Sequence, residues 1–220
     1  MKNRILIIED HEDVYENLKR KIFFEFPNFP ISIFDNCDDA FNQIKSLKNE
    51  IAFIILDLTF KYIKPYALIK NGKNLLKELK NAQINIPTII YTSHDEMEHI
   101  YPVINNYEPN GYVIKSNSSN KELLLAINNV LKEKKYFSHI VHELMLKRTK
   151  YAFTLDEVDE QIIKILPNAV NMIDWKGRIF KDNVAISYKS IKSRIDMLCN
   201  KFEVENEKQL LLKLQKLAIL

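Results

Sequence analysis

The sequence predicts an α/β fold, a doubly wound domain of five parallel strands, followed by a small all-α domain. Two observations lead to the first part: short apolar runs alternate with amphipathic stretches, and most of the runs are continuous. Continuous apolar runs are typical of strands that helices cover on both faces of a parallel sheet. After residue 154 no strand pattern recurs and only helical periodicity remains, which predicts the second part.

The strand runs occur in the order expected of repeated βα units. They are Ile5–Ile8, Ile31–Phe34, Ile51–Leu56, Thr88–Tyr91 and Tyr112–Ile114. Apolar residues at helical spacing separate them, as in Val14, Leu18 and Ile22 after the first run. We therefore assign residues 1–134 to the α/β domain.

Residues 135–153 mix charged and aromatic side chains and are predicted to be a linker that carries a short helix. Residues 154–220 then form the all-α domain. Thr154 and Glu157 match a capping box at its first helix, and Ser187 is a suitable N-cap for a later one. Ile191, Ile195, Leu198 and Phe202 mark the buried face of that later helix. Leu210 and Leu214 mark the last helix.

Composition excludes several classes of protein. The 32 basic and 29 acidic residues leave a net charge of +3, so any nucleic-acid contact must come from a local patch. The chain has only three glycines, Gly72, Gly111 and Gly177, which excludes the glycine-rich nucleotide loops. Two distant cysteines form no disulfide framework, and no apolar run could span a membrane. We expect a cytoplasmic protein with no membrane partner.

Polar side chains follow four of the five predicted strands. Glu9 and Asp10 follow the first strand, Asp57 the third, Thr92 the fourth and Lys115 the fifth. The carboxyl ends of parallel strands meet at one edge of the sheet, where ligands of open α/β folds bind. Clustered carboxylates suit Mg²⁺, and an aspartate can accept a phosphoryl group while a lysine neutralises the developing charge.

These residues stand in four motifs that resemble the signature sites of response-regulator receiver domains, which have a flavodoxin-like fold. The motifs are Ile7-Ile8-Glu9-Asp10, Ile54-Ile55-Leu56-Asp57, Ile89-Ile90-Tyr91-Thr92-Ser93 and Gly111-Tyr112-Val113-Ile114-Lys115-Ser116. The resemblance covers about residues 1–134 and implies that a sensor histidine kinase phosphorylates Asp57. It also implies further roles: Glu9, Asp10, Asp57 and the backbone carbonyl of Thr59 hold Mg²⁺, Thr92 and Lys115 bind the phosphoryl oxygens, and Tyr112 is the switch aromatic.

The segment after Asp57 departs from the family pattern. Receiver domains usually have a proline soon after the acceptor, where this chain has Lys61. Gly72 follows Asp57 by 15 residues, several more than is usual. Residues 61–70 are therefore predicted to be an inserted loop beside the site.

The segment from Ser187 to Ile195 resembles the recognition helix of LuxR/NarL-type helix-turn-helix domains. This resemblance implies DNA binding, with homodimers of the active form matching two half-sites. The candidate contacts are Lys189, Lys192, Ser193 and Arg194. The stretch between Ile162 and Ser187 is longer than in the family and lacks the usual glycine, so we expect the first helix of the pair to be reshaped.

Together these observations predict a two-component response regulator that binds DNA and regulates transcription. Beyond phosphoryl transfer to its own Asp57 and loss of that group, no enzymatic activity is expected. One alternative keeps the receiver but has a protein-interaction output that does not bind DNA. A second is a hydrolase that works through an aspartyl phosphate, which needs an acid two residues after the nucleophile, where this chain has Thr59.

Overall fold

The computed structural model describes residues 3–116, 119–168, 175 and 177–220. The chain divides into two compact units, Met1–Asp95 with Pro102–His142, and Glu96–Tyr101 with Glu143–Leu220. Of the helices in the described ranges, none is both long and apolar enough to cross a membrane.

A parallel sheet lies at the centre of the first unit. Its strands are β1 (Arg4–Ile8), β2 (Ile31–Phe34), β3 (Ile51–Leu56), β4 (Thr88–Thr92), β5 (Gly111–Ile114) and β6 (Tyr136–Phe137), in the order β2-β1-β3-β4-β5-β6. The connecting helices are α1 (Glu12–Glu25), α2 (Cys37–Leu47), α3 (Gly72–Asn81), α4 (Met97–Tyr107) and α5 (Ser119–Val130). This is the predicted flavodoxin-like α/β fold, with one strand more than expected.

Four of the five predicted strands, β1, β3, β4 and β5, are buried along almost their whole length, as their continuous apolar runs require. The edge strand β2 is only half-buried. In β1, Ile5, Leu6, Ile7 and Ile8 are all fully buried. Side chains of successive strand residues point to opposite faces, so a strand with no exposed residue must be covered on both. The sequence pattern and the layered packing thus have the same cause.

The sixth strand corrects the sequence-based prediction. Residues 135–153 were expected to be a linker with a short helix, but Tyr136 and Phe137 pair with Gly111 and Tyr112 on the edge of the sheet. The 15-residue helix α6 (His139–Phe153) follows. A strand of two residues is too short to show an alternating pattern, so the sequence does not predict it.

The predicted inserted loop lies between β3 and α3. The two carboxylate oxygens of Asp38 on α2 accept the backbone N–H groups of Leu68 and Ile69, each at 3.1 Å. Lys64 forms an ion pair with Asp39 at 2.8 Å. Although Tyr66 and Leu68 expose their side chains, the backbone of the loop is therefore tied to the sheet-covering helix beside it.

The second unit is mainly helical. Its helices include α7 (Glu157–Ile165), α8 (Tyr188–Lys201) and α9 (Glu207–Lys216), with a short 3₁₀ turn at Leu166–Asn168. They bury a common core that contains Ile162, Trp175, Ile191, Phe202 and Leu214. Ser187 caps α8 as predicted, since its side chain accepts the N–H of Ser190.

Two details of this unit differ from the prediction. The capping box at α7 is formed by Asp156 and Asp159 rather than by Thr154 and Glu157, because the two aspartates reach each other's backbone N–H groups. The unit is also not all-α, since β7 (Phe180–Lys181) and β8 (Val184–Ala185) form an antiparallel hairpin. The prediction of a reshaped first helix falls partly on residues 169–174 and 176, which lie outside the described residues.

Candidate functional site

The carboxyl ends of three strands bring together charged groups that are far apart in the sequence. Lys115 follows β5, and its Nζ lies 2.6 Å from Oδ2 of Asp57 after β3 and 2.7 Å from Oε2 of Glu9 after β1. β1 and β3 are neighbours in the sheet, so Glu9 and Asp57 end side by side. β5 lies two strands from β3, and the long side chain of Lys115 spans the intervening β4. One ammonium group thus bridges two carboxylates at the predicted edge.

This cluster is largely withdrawn from water. The side chains of Glu9 and Asp57 are 2% and 4% exposed, and that of Lys115 is 18% exposed. Burial raises the pKa of Glu9 above its ordinary value, although Lys115 opposes this shift. Burial alone would lower the pKa of Lys115, but the carboxylates of Asp57 and Glu9 outweigh it and raise that pKa. Lys115 is therefore firmly held as a cation.

Asp10 uses its two carboxylate oxygens differently. Oδ2 accepts the backbone N–H groups of Lys61 at 2.6 Å and Tyr62 at 3.2 Å, both from the inserted loop. Oδ1 is buried and has no hydrogen-bond partner among the described residues. A buried carboxylate oxygen without a donor is unfavourable unless a cation neutralises it. This oxygen of Asp10 therefore fits a hard cation such as Mg²⁺.

The remaining predicted residues of this site are Thr59, Thr92 and Tyr112. The backbone N–H of Thr59 donates to Oδ1 of Asp57 at 3.2 Å. Thr92 is fully buried, and within the described parts of the chain its Oγ1 has no hydrogen-bond partner. Tyr112, predicted to be the switch aromatic, is also fully buried, on the strand next to β4.

His94 was not predicted from the sequence and lies at the same edge. Its Nε2 is 2.7 Å from Oγ1 of Thr59. No motif pointed to this residue, because a single histidine in a loop has no spacing that marks a site. The contact links the loop after β4 to the segment that follows Asp57.

The four candidate DNA contacts on α8 divide into two groups. Lys189, Lys192 and Ser193 are exposed on one side of the helix. Arg194 is half-buried, and its guanidinium forms ion pairs with Asp156 at 2.7 Å and Asp159 at 3.3 Å. Since Asp159 is buried, Arg194 neutralises a charge inside the unit, which makes it the least available of the four.

Comparison with known proteins identifies a family for more than half of the chain. The family described as "Response regulator receiver domain" matches residues 5–128. The response regulator SaeR of Staphylococcus aureus (strain USA300) is 27% identical over 136 residues, which are 61% of this chain and 53% of that protein. The chain thus spans about half the length of the curated relatives it matches.

Several solved structures are similar to the chain. A structure of the RcsB response regulator of Salmonella typhimurium has a TM-score of 0.70 at 19% identity, covering 96% of this chain and 98% of that one. RcsB from Salmonella enterica serovar Typhimurium bound to a promoter has a TM-score of 0.59 at 20% identity, covering 98% and 99%. A LuxR-family response regulator from Aurantimonas sp. SI85-9A1 has a TM-score of 0.55 at 20% identity, covering 68% and 99%. At these identities the likeness concerns the fold.

Proposed function

The chain belongs to the response-regulator receiver family, and on this basis we propose that it is a two-component response regulator in which Asp57 accepts a phosphoryl group from a sensor histidine kinase. The observation that carries the proposal is the bridge from Lys115 to Asp57 and Glu9. It joins a nearly buried nucleophile to a fixed cation at the edge of the sheet where ligands of this fold bind.

In the proposed reaction a carboxylate oxygen of Asp57 attacks phosphorus, and the bond from phosphorus to the imidazole nitrogen of the donor breaks. The departing imidazole takes up a proton from solvent. Lys115 lies 2.6 Å from the attacking carboxylate. Its ammonium group would then bind the phosphoryl oxygens and stabilise their negative charge. Mg²⁺, when bound, would neutralise further negative charge on the transferred group.

The proposed metal ligands are Asp10, Asp57 and the backbone carbonyl of Thr59, with Glu9 acting through water. The unpaired, buried Oδ1 of Asp10 supports this choice. Magnesium keeps several of its waters and rarely uses a complete cage of protein ligands. Two carboxylates and one carbonyl are therefore a sufficient set.

The proposed switch uses Thr92, Lys115 and Tyr112. Thr92 has a buried hydroxyl that could donate to a phosphoryl oxygen on Asp57. To make this hydrogen bond, the side chain of Thr92 on β4 would move towards Asp57. That movement would change the space beside Tyr112 on the neighbouring β5. A local charge is thus converted into a change in packing.

We further propose that the second unit binds DNA through the exposed face of α8 and regulates transcription. Lys189 and Lys192 are placed to contact phosphates, and Ser193 can reach a phosphate or a base edge. The similarity to RcsB bound to a promoter supports this role. Homodimers formed after phosphorylation would match two half-sites on the DNA.

The phosphoacceptor is tested by labelling the full chain with a small phosphodonor in the presence of Mg²⁺. Asp57→Asn should abolish the label, while the exposed acid Asp13→Asn serves as the control and should label normally. Undiminished labelling of Asp57→Asn would refute the assignment. Sustained turnover of a phosphomonoester by the wild type would instead favour the hydrolase alternative.

The output is tested by titrating a mixed-sequence duplex with phosphorylated protein over a series of salt concentrations. Binding that weakens steeply as salt rises is expected, because cations released from DNA drive the association. The double variant Lys189→Ala/Lys192→Ala should bind more weakly. If the wild type shows no salt-dependent binding, the protein-interaction output is favoured.

A further inference from the structure

A short hairpin immediately precedes the proposed recognition helix. Phe180 pairs with Ala185 and Lys181 with Val184, and the N–H of Ile186 extends the ladder to the carbonyl of Ile179 at 3.0 Å. The two residues at its tip, Asp182 and Asn183, have φ of 50° and 64°. Positive φ at both central residues is the requirement of a type I′ turn, in which asparagine and aspartate are favoured.

The hairpin is fixed to the body of the second unit. The side-chain amide of Gln161 on α7 brackets the backbone of Phe180, accepting its N–H at 2.9 Å and donating to its carbonyl at 3.0 Å. Ile179, directly before β7, is fully buried in the core. An isolated two-stranded hairpin is marginally stable, so these anchors are what hold it in one position beside α8.

The hairpin and α8 line one open cavity of about 460 Å³. Lys181 comes from the hairpin, and Lys189 and Ser193 come from α8. Of the described residues that line the cavity, none is acidic. Two lysines from separate elements thus border the same concave surface.

We propose that the β7–β8 hairpin is a second DNA-contacting element, in which Lys181 binds the phosphate backbone next to the groove that α8 enters. This rests on the proposed DNA binding of α8. A polyanion is the ligand that matches a surface with lysines on two sides and no carboxylate between them. Phosphate contacts of this kind fix the register of a protein on the duplex without reading sequence.

Asp182 at the exposed tip provides a test of opposite sign. If the hairpin lies near a phosphate, its carboxylate repels the DNA, and Asp182→Asn should strengthen binding a few-fold. Lys181→Ala should weaken binding and remove one phosphate contact. Opposite shifts from adjacent residues are a result that general loss of structure would not produce.

The experiment titrates a fluorescein-labelled duplex of mixed sequence with the phosphorylated full chain, by fluorescence anisotropy, from about 50 to 200 mM salt. For Lys181→Ala the slope of log affinity against log salt should become shallower by about 0.9. Lys208→Ala on α9 has the same loss of charge and is the control. Thermal unfolding of each variant should match the wild type.

Each outcome bears on a defined proposal. If the wild type binds and Lys189→Ala/Lys192→Ala binds weakly, but Lys181→Ala and Asp182→Asn match the wild type, the hairpin proposal is overturned and the role of α8 stands. Weaker binding of Lys181→Ala with an unchanged slope also overturns it. No salt-dependent binding by the wild type overturns both.

Discussion

Replacement of Lys115 by methionine should destabilise the first unit and do so in a pH-dependent way. The change preserves much of the side-chain volume and removes the only charge that touches both Asp57 and Glu9 in the described structure. Removing one partner of a buried ion pair costs about 3–5 kcal/mol, because it leaves the other charge uncompensated. Lys115 is partly exposed, so we expect about 3 kcal/mol at pH 7, near the lower end of that range.

The pH dependence follows from Glu9. Its pKa is already raised in the folded protein by burial, and Lys115 opposes the shift. Without Lys115 that pKa rises further, so the folded variant binds protons more readily than the unfolded chain does. Stability of the variant is therefore gained as pH falls through the raised pKa and lost as pH rises above it. The difference from the wild type should therefore be largest at neutral pH and shrink as the pH is lowered.

The assay is urea unfolding of the full chain at several pH values, with and without Mg²⁺. Mg²⁺ should restore part of the lost stability, since a ligand that binds only the folded state stabilises it. Lys132→Met, an exposed lysine in the same unit, is the control and should change stability little. A Lys115→Met protein as stable as the wild type at pH 7, or one with a loss that does not shrink as the pH is lowered, would refute the reasoning.

Three further changes test a close approach, a hydrogen bond and a buried side chain. Gly72→Ala would drive a Cβ into the carbonyl oxygen of Asp57, so urea unfolding should show a loss of about 3 kcal/mol and phosphodonor labelling should slow. Lys61→Pro removes the shorter of the two N–H bonds to Asp10, and calorimetry should show Mg²⁺ affinity at least about 10-fold lower; unchanged affinity would contradict it. Phe202→Ala empties a fully buried position and should cost about 3–5 kcal/mol in urea unfolding.

The central sheet and its charged edge could be predicted because their signals are local. Each of the five main strands contains its own apolar run, and Glu9, Asp57, Thr92 and Lys115 stand at the ends of four of them. The strand ends then converge through the order of the sheet, so Asp57 and Lys115 meet without any sequence signal for their contact. The sequence pattern therefore had to reveal only the strands, and no separate signal for the contacts at their ends was needed.

The features that escaped prediction carry no such signal. The donors to Oδ2 of Asp10 are backbone N–H groups of Lys61 and Tyr62, which any residue other than proline could supply. Strand β6 and the β7–β8 hairpin have two residues per strand, which is too few to show the alternation of apolar and polar residues that marks a strand. Both were fixed by tertiary contacts, namely pairing with β5 and the hydrogen bonds of Gln161.

Arg194 shows how the structure changes the electrostatic argument for DNA binding. Its ion pairs with Asp156 and Asp159 leave Lys189, Lys192 and the hairpin's Lys181 as the proposed phosphate contacts of each copy. Three contacts give a salt slope of about −2.7, or about 40-fold weaker binding between 50 and 200 mM salt. Two copies on adjacent half-sites would double the slope and give a loss of about 2,000-fold. The measured slope therefore reports directly whether the bound species is a monomer or a dimer, and a dimer slope that appears only after phosphorylation of the receiver would tie the two units into one switch.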